Sequence, residues 1–340
     1  MKRHWPTIET LYALGLALVI LGHSHSSDWS TFEGTWLVPL IQFIYLFHMA
    51  MFFGIAGFLF QNSESRARLG YRKWLSDKAL RLLVPYCFWS LLALAPKYFF
   101  EHHSFAGLTP AYILTSLFCP RQNIWGHFWF LPVLFLAYAL FGLLPRFPNR
   151  QRPPALLLAV VALATGCYFL PIRIEWLGLA DLRNSLAFFA LGMLARSQSE
   201  RLADNFAIGG GISRIVLPAL ALALFALGFG LRENAQASRL VALPVAILLI
   251  AACVSLAAVL PTNSIVSWLA RHNFTIYLFS WMFQAVVMEL CSRLRCPWTV
   301  TTPAMFAVGF IGPIAMILVL ERIPWLRRPL LRRLFGGSPT

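Results

Sequence analysis

Charge is what this chain has least of. Only 12% of its 340 residues are Asp, Glu, Lys or Arg, about half the share of roughly 25% with which soluble domains coat themselves. A water-soluble globule is therefore excluded. Acids are scarcer than bases, 13 against 28, which leaves a net charge of +15. Cysteine is sparse and lacks metal-ligand spacing: Cys87, Cys119, Cys167 and Cys253 lie in or beside apolar segments, as packing residues do. Cys291 and Cys296 could pair outside the membrane. No small-residue cleavage site follows the first apolar run, so that run reads as a retained helix and not a signal peptide. No strong internal repeat stands out, and no soluble domain is expected at either end.

What the chain has in abundance is hydrocarbon. Hydrophobic residues make up 59% of it, with 29 Phe and 12 Trp, and its mean hydropathy is +0.69. Runs of about 20 apolar residues cross a ~30 Å hydrocarbon core. Ten such spans are predicted, at 8–24, 37–60, 79–100, 128–145, 154–171, 184–196, 213–231, 238–260, 265–290 and 303–320. The chain thus reads as an all-α integral membrane protein of about ten transmembrane helices, forming a single membrane domain over 1–340. Threading these spans puts twenty of the 28 basic residues on the side of Met1. The positive-inside rule then predicts that both termini are cytoplasmic. The basicity orients the chain and is no footprint for nucleic acid.

Ionisable groups inside such spans are costly, ~2.5 kcal/mol or more when charged at the centre, so those that persist are candidates for function. The first span carries Glu9 near its start and His23 and His25 at its far end, in GHSHSSD. At helical spacing the two histidines would point well apart. His48 sits near the middle of the second span; it either bonds a helix neighbour or lines the same cavity as His23. Gly54 and Gly57 there allow a neighbouring helix to come close.

The most charged stretch, 61–81, leads through Arg72, Lys73, Lys78 and Arg81 into LLVPY. Such a run serves topology or headgroup anchoring, or it holds a polyphosphate. Lys78 and Arg81 are three apart and share a face, and ammonium and guanidinium both suit phosphate oxygens. Pro85 is expected to kink or open the helix just above them. Trp125, His127, Phe128 and Trp129 crowd the outer mouth of the fourth span, as an aromatic belt or a sugar platform. His102 and His103 read as solvated loop residues. In the ninth span Tyr277, Ser280, Trp281 and Gln284 place polar groups on an apolar helix, to glue helices or to line a site.

Five segments in order, LVILGHSH (Leu18–His25), FHMAMFFGIAGFLF (Phe47–Phe60), KALRLLVPY (Lys78–Tyr86), HFWFLPVLFLAYAL (His127–Leu140) and FTIYLFSWMFQ (Phe274–Gln284), resemble the acyltransferase-3 family of integral membrane acyltransferases. The resemblance implies a ten-span protein of the bacterial inner membrane. It would take acyl-coenzyme A, usually acetyl-CoA, from the cytoplasm and pass the acyl group to a glycan hydroxyl. It places the essential histidine on His23, donor contacts on Lys78 and Arg81, and the acidic residue of the first span on Glu9. One position departs: the cation usual eleven residues before the histidine is Tyr12 here, which offers a hydrogen bond but no charge. His25 would then share part of the work with His23.

The expected chemistry is transfer from a thioester to an alcohol. A neutral imidazole, ordinarily titrating near ~6.5, can take the hydroxyl proton during attack. Glu9, His23 and His25 are the catalytic candidates, and Arg72, Lys78, Arg81 and Tyr12 the acyl-CoA contacts. His48, His127, Trp129, Trp281 and Gln284 are the acceptor contacts. No metal is called for, and the remaining partners are membrane lipid and a glycan or lipid-linked oligosaccharide. A multi-span secondary transporter or flippase is the rival reading, weakened by the absence of inverted repeats.

Overall fold

In lipid an apolar run satisfies its backbone by closing every hydrogen bond within itself, which makes it a helix. The computed structural model describes residues 5–25, 32–61, 64–94, 109–145, 152–199, 210–230, 235–323 and 334–335, and every regular element among them is helical. His102, His103 and the loop acid Asp28 lie outside the described residues.

In chain order the α-helices are α1 (Pro6–Gly22), α2 (Leu37–Gln61), α3 (Glu64–Leu92), α4 (Pro110–Phe118), α5 (Phe130–Gly142), α6 (Pro154–Phe169), α7 (Leu179–Ser197), α8 (Gly210–Gly230), α9 (Ala235–Ala257), α10 (Ser264–Arg293) and α11 (Trp298–Leu320). Single 3₁₀ turns precede α5 and α7. Among the described residues, five segments are long and apolar enough to span a bilayer: Leu37–Gln61, Trp176–Ser197, Arg239–Ala257, Ser264–Arg293 and Trp298–Leu320. Shorter apolar helices occupy Pro6–Gly22, Gly126–Gly142, Pro154–Phe169 and Ile215–Leu227. Leu163, Ile215 and Ile311 are each more than 60% exposed, the outward apolar coat of a membrane protein.

One boundary differs from expectation, and one break was not expected. The sixth predicted span, 184–196, is extended at its N-terminal end to Trp176 by a 3₁₀ turn with a left-handed Gly178. In α3 the break falls at Gly70 (φ 75°, ψ 163°), while the helix runs through Pro85. Glycine tolerates that backbone.

The chain divides into two compact units, 1–52 with 198–324 and 53–197 with 325–340. In the first, α1 starts with Pro6 in its first turn and packs chiefly on α10, touching α9 and α11. Its buried stripe is Leu11, Gly15, Leu16, Val19, Ile20 and Gly22. Gly15 matters for spacing, because a Cβ there would lie 2.8 Å from Met51 and Phe52 side-chain atoms of α2. Thr10 meets Thr262 at 3.2 Å, and Ser267 donates to Glu9 Oε2 at 2.6 Å, tying the start of α1 to α10.

In the second unit α3 packs on α5, α5 on α7 and α6 on α7. An aromatic core of Phe60, Trp74, Tyr138, Phe141 and Phe189 fills it, with Phe141 and Phe189 stacked at 4.6 Å. The small face of α2 receives α7: Gly57 abuts the Phe189 carbonyl, and Gly192 abuts that of Gly54.

Candidate active site

The first unit gathers the histidines. α1 stops at Gly22, and His23 caps it with φ −96° and ψ 0°. Helical spacing therefore no longer governs the two imidazoles, and both come to one phenol. Tyr45 Oη stands 3.5 Å from His23 Nδ1 and 3.4 Å from His25 Nε2. The Tyr45 hydroxyl proton is committed elsewhere, donated to the Gly22 carbonyl at 2.7 Å. Toward His23 the phenol can only accept. A hydrogen bond between them requires the ring proton of His23 on Nδ1, with the lone pair on Nε2.

Trp281 closes the cluster from α10, its ring edge-on to His23 at 5.5 Å. His48 joins from α2: its Nδ1 donates to the Ile44 carbonyl at 2.8 Å, and its ring lies 5.3 Å from Tyr45. The bond to its helix neighbour is present, and the ring packs beside Tyr45. Gln284 is fully buried and turned to α1, its Nε2 donating to the Ile20 carbonyl at 2.8 Å and to Ser24 Oγ at 2.9 Å. It grips the turn that carries His23.

Two candidates fall apart from that cluster within the same unit. Glu9 precedes His23 by fourteen residues, about 21 Å at 1.5 Å rise per residue, so no direct Glu9–His23 pair exists. Tyr12 lies on α1 against Phe52, with ring centres 6.1 Å apart.

The second unit holds the basic candidates. Lys78, half-buried, lays its ammonium over the Tyr138 ring at 4.2 Å and near Trp74 at 5.8 Å. It precedes the predicted start of the third span. Loss of water there, followed by the neighbouring Arg81 charge, pulls its pKa from 10.5 to about 8, against the opposite pull of Asp77. Arg72 and Arg81 are exposed. The Arg121 guanidinium stacks on Trp129 at 4.0 Å while bonding Asp181 through both oxygens. His127 is buried edge-on to Phe128 at 4.5 Å.

Sequence reading overlooked Tyr45 and Ser24. Tyr45 stands three residues before His48, on the same helix face, and that spacing was the available signal.

Apolar helices of spanning length, with a cluster of imidazoles around Tyr45 at the end of the first, define a multi-pass membrane protein. The chain belongs to the acyltransferase-3 family, whose acyltransferase domain matches residues 7–322. Among curated proteins it is similar to nodulation protein NolL of Sinorhizobium fredii (strain NBRC 101917 / NGR234), 28% identical over 200 residues, 58% of this chain and 50% of that one. It is also similar to nodulation protein NolL of Mesorhizobium japonicum (strain LMG 29417 / CECT 9101 / MAFF 303099), 28% identical over 187 residues, 54% of this chain and 46% of that one. The chain spans about half the length of these relatives. No solved structure matches it.

Proposed function

We propose that this protein is an O-acetyltransferase of the bacterial inner membrane. It crosses the bilayer ten times with both termini in the cytoplasm, as a single membrane domain. It moves an acetyl group from cytoplasmic acetyl-CoA to a sugar hydroxyl of an exopolysaccharide or its lipid-linked precursor. The observation that carries the reading is the His23 geometry: an imidazole at the end of an apolar helix, its Nδ1 facing a phenol that can only accept.

His23 Nε2 takes the proton of the attacking hydroxyl as its oxygen bonds to the thioester carbonyl. The tetrahedral intermediate collapses, the carbon–sulfur bond breaks, and the proton passes to the departing CoA sulfur. His25 shares the Tyr45 hydroxyl and helps hold the ring pair. Arg72, Lys78 and Arg81 supply cations for the donor's phosphates, and Tyr12 supplies a neutral hydrogen bond where the family usually has a cation. Trp281, beside His23, and His48, beside Tyr45, contact the acceptor. In the second unit, Trp129 and His127 supply sugar contacts.

The test is thioester consumption coupled to acetyl-glycan formation by purified protein in lipid. Wild type consumes acetyl-CoA only with acceptor present. His23→Ala and the shape-conserving His23→Gln lower turnover by ~10²–10⁴, the span of general-base catalysis. A carrier of glycan or metabolite would leave the thioester intact, and that result would overturn the reading.

A further inference from the structure

The far end of α10 brings two thiols together. The Cys296 N–H donates to the Cys291 carbonyl at 2.9 Å and the Arg295 N–H to the Ser292 carbonyl at 3.1 Å, the bond pair of a Schellman motif. Arg295 is its left-handed residue, at φ 51°. In this motif the sixth residue folds back over the first, where a hydrophobic contact often sits. Here those two positions are Cys291 and Cys296. Cys291 is buried and Cys296 partly exposed. Arginine is an unusual choice for a left-handed turn that glycine ordinarily takes, so a covalent tie across it has a conformation to hold.

We propose that Cys291 and Cys296 form a disulfide that clips the α10–α11 connection. The proposal rests on the orientation given above, which puts this turn outside the cytoplasm, where disulfides persist. The oxidant is a protein disulfide of that compartment. The Cys296 thiolate attacks one of its sulfurs, forming a mixed disulfide and releasing the other sulfur as a thiolate. The Cys291 thiolate then attacks Cys296 Sγ, closing the internal S–S bond and releasing the oxidant's second sulfur. Two electrons pass to the oxidant, and the two thiol protons end on its sulfurs. The product pins the start of α11 to the end of the helix that carries Trp281 and Gln284.

Trypsin cuts after Arg293 and Arg295, so the two cysteines leave on separate peptides unless bridged. Intact cells are blocked with an alkylating reagent before lysis, and the full-length protein is then digested and weighed by mass spectrometry. The expected result is one linked species joining the peptide that ends at Arg293 to the one that begins at Cys296. It separates on reduction and is missing in Cys296→Ser. Recovery of both cysteines in alkylated form would overturn the clip. A membrane-impermeant maleimide applied to Cys291→Ser cells tests the orientation separately. Labelling of Cys296 from outside keeps the orientation even where the clip fails, while labelling only after permeabilisation removes the basis for both.

Discussion

Tyr45 donates its hydroxyl proton to the Gly22 carbonyl, 2.7 Å away, at the point where α1 ends. That bond leaves the phenol oxygen with acceptor capacity only, and His23 Nδ1 is 3.5 Å from it. Tyr45 thereby selects the tautomer with the basic nitrogen at Nε2, as the third group of a catalytic constellation usually does. Removing the hydroxyl in Tyr45→Phe should cost about 1–2 kcal/mol of orientation, near tenfold, read as a lower kcat with little change in KM for acetyl-CoA. An unchanged kcat would mean that the phenol plays no part in setting the ring.

Gln284 predicts a different signature, because its amide bonds the chain before His23 and not the imidazole itself. Gln284→Leu leaves the Ile20 carbonyl with one donor fewer and the Ser24 hydroxyl without the amide, both in a buried place. The expected loss is about 1–3 kcal/mol of stability, visible as a lower thermal midpoint in detergent, together with a fall in kcat. Ser24→Ala should be milder on both counts, since Gln284 still reaches Ile20. Crowding gives the same answer from α11. A Cβ on Gly309 would sit 2.6 Å from Ile20 Cγ2 and 3.1 Å from the Gln284 side chain, so Gly309→Ala should resemble Gln284→Leu.

The fold was legible in the chain to the extent that single elements decide themselves. Apolar runs over α2, α9, α10 and α11 mark those helices, because spanning length and hydropathy are local properties. The break of α3 at Gly70 was not legible, because a lone glycine permits a positive φ without requiring it. The site was half legible. His23 announced itself as an ionisable group at a span end. Its partnership with Tyr45 depends on α1 and α2 packing at Gly15 and on the helix stopping one residue early, which no single segment encodes. Gln284 was readable as polar on an apolar helix, yet which neighbour it serves is a tertiary fact.

Lys78 should make donor binding sensitive to alkali. Its pKa is drawn down to about 8 by burial and by Arg81, so the ammonium is charged below pH 8 and neutral above it. An anionic donor then finds one cation fewer, and its KM for acetyl-CoA should rise between pH 8 and pH 9.5. Bound phosphates raise the pKa again, which places the effect in KM and leaves kcat nearly flat. Lys78→Arg stays charged throughout and should abolish the rise, while Lys78→Met should show the high KM at every pH. A KM for Lys78→Arg that climbs as wild type does would assign the alkaline effect to another group.

Glu9 separates support from chemistry. Its carboxylate accepts the Ser267 hydroxyl at 2.6 Å and lies about 21 Å along α1 from His23. Glu9→Gln keeps an acceptor for Ser267, and its turnover should stay within about threefold of wild type, ~0.6 kcal/mol. Glu9→Leu removes the acceptor and should lower the thermal midpoint, at about 1 kcal/mol for the lost bond. Turnover of the surviving folded fraction should be normal. A hundredfold loss in Glu9→Gln would instead give the carboxylate a part in the reaction.

The α2–α7 contact makes the sharpest stability prediction, because neighbouring glycines on one helix differ in what they face. A methyl on Gly57 would overlap the Phe189 carbonyl, and one on Gly192 would overlap that of Gly54. Backbone atoms cannot swing aside as a side-chain end does. The helices must separate, and the stacked rings of Phe141 and Phe189 beside them lose their fit. Gly57→Ala and Gly192→Ala should each cost about 3 kcal/mol or more, seen as loss of folded protein in size-exclusion chromatography. Gly54→Ala is the control one turn away, where a Cβ would stand 3.7 Å from the Phe188 carbonyl, an ordinary contact. It should fold as wild type and gain slightly from alanine's better helix propensity. Equal tolerance of all three substitutions would show that the two helices stand farther apart than this contact requires.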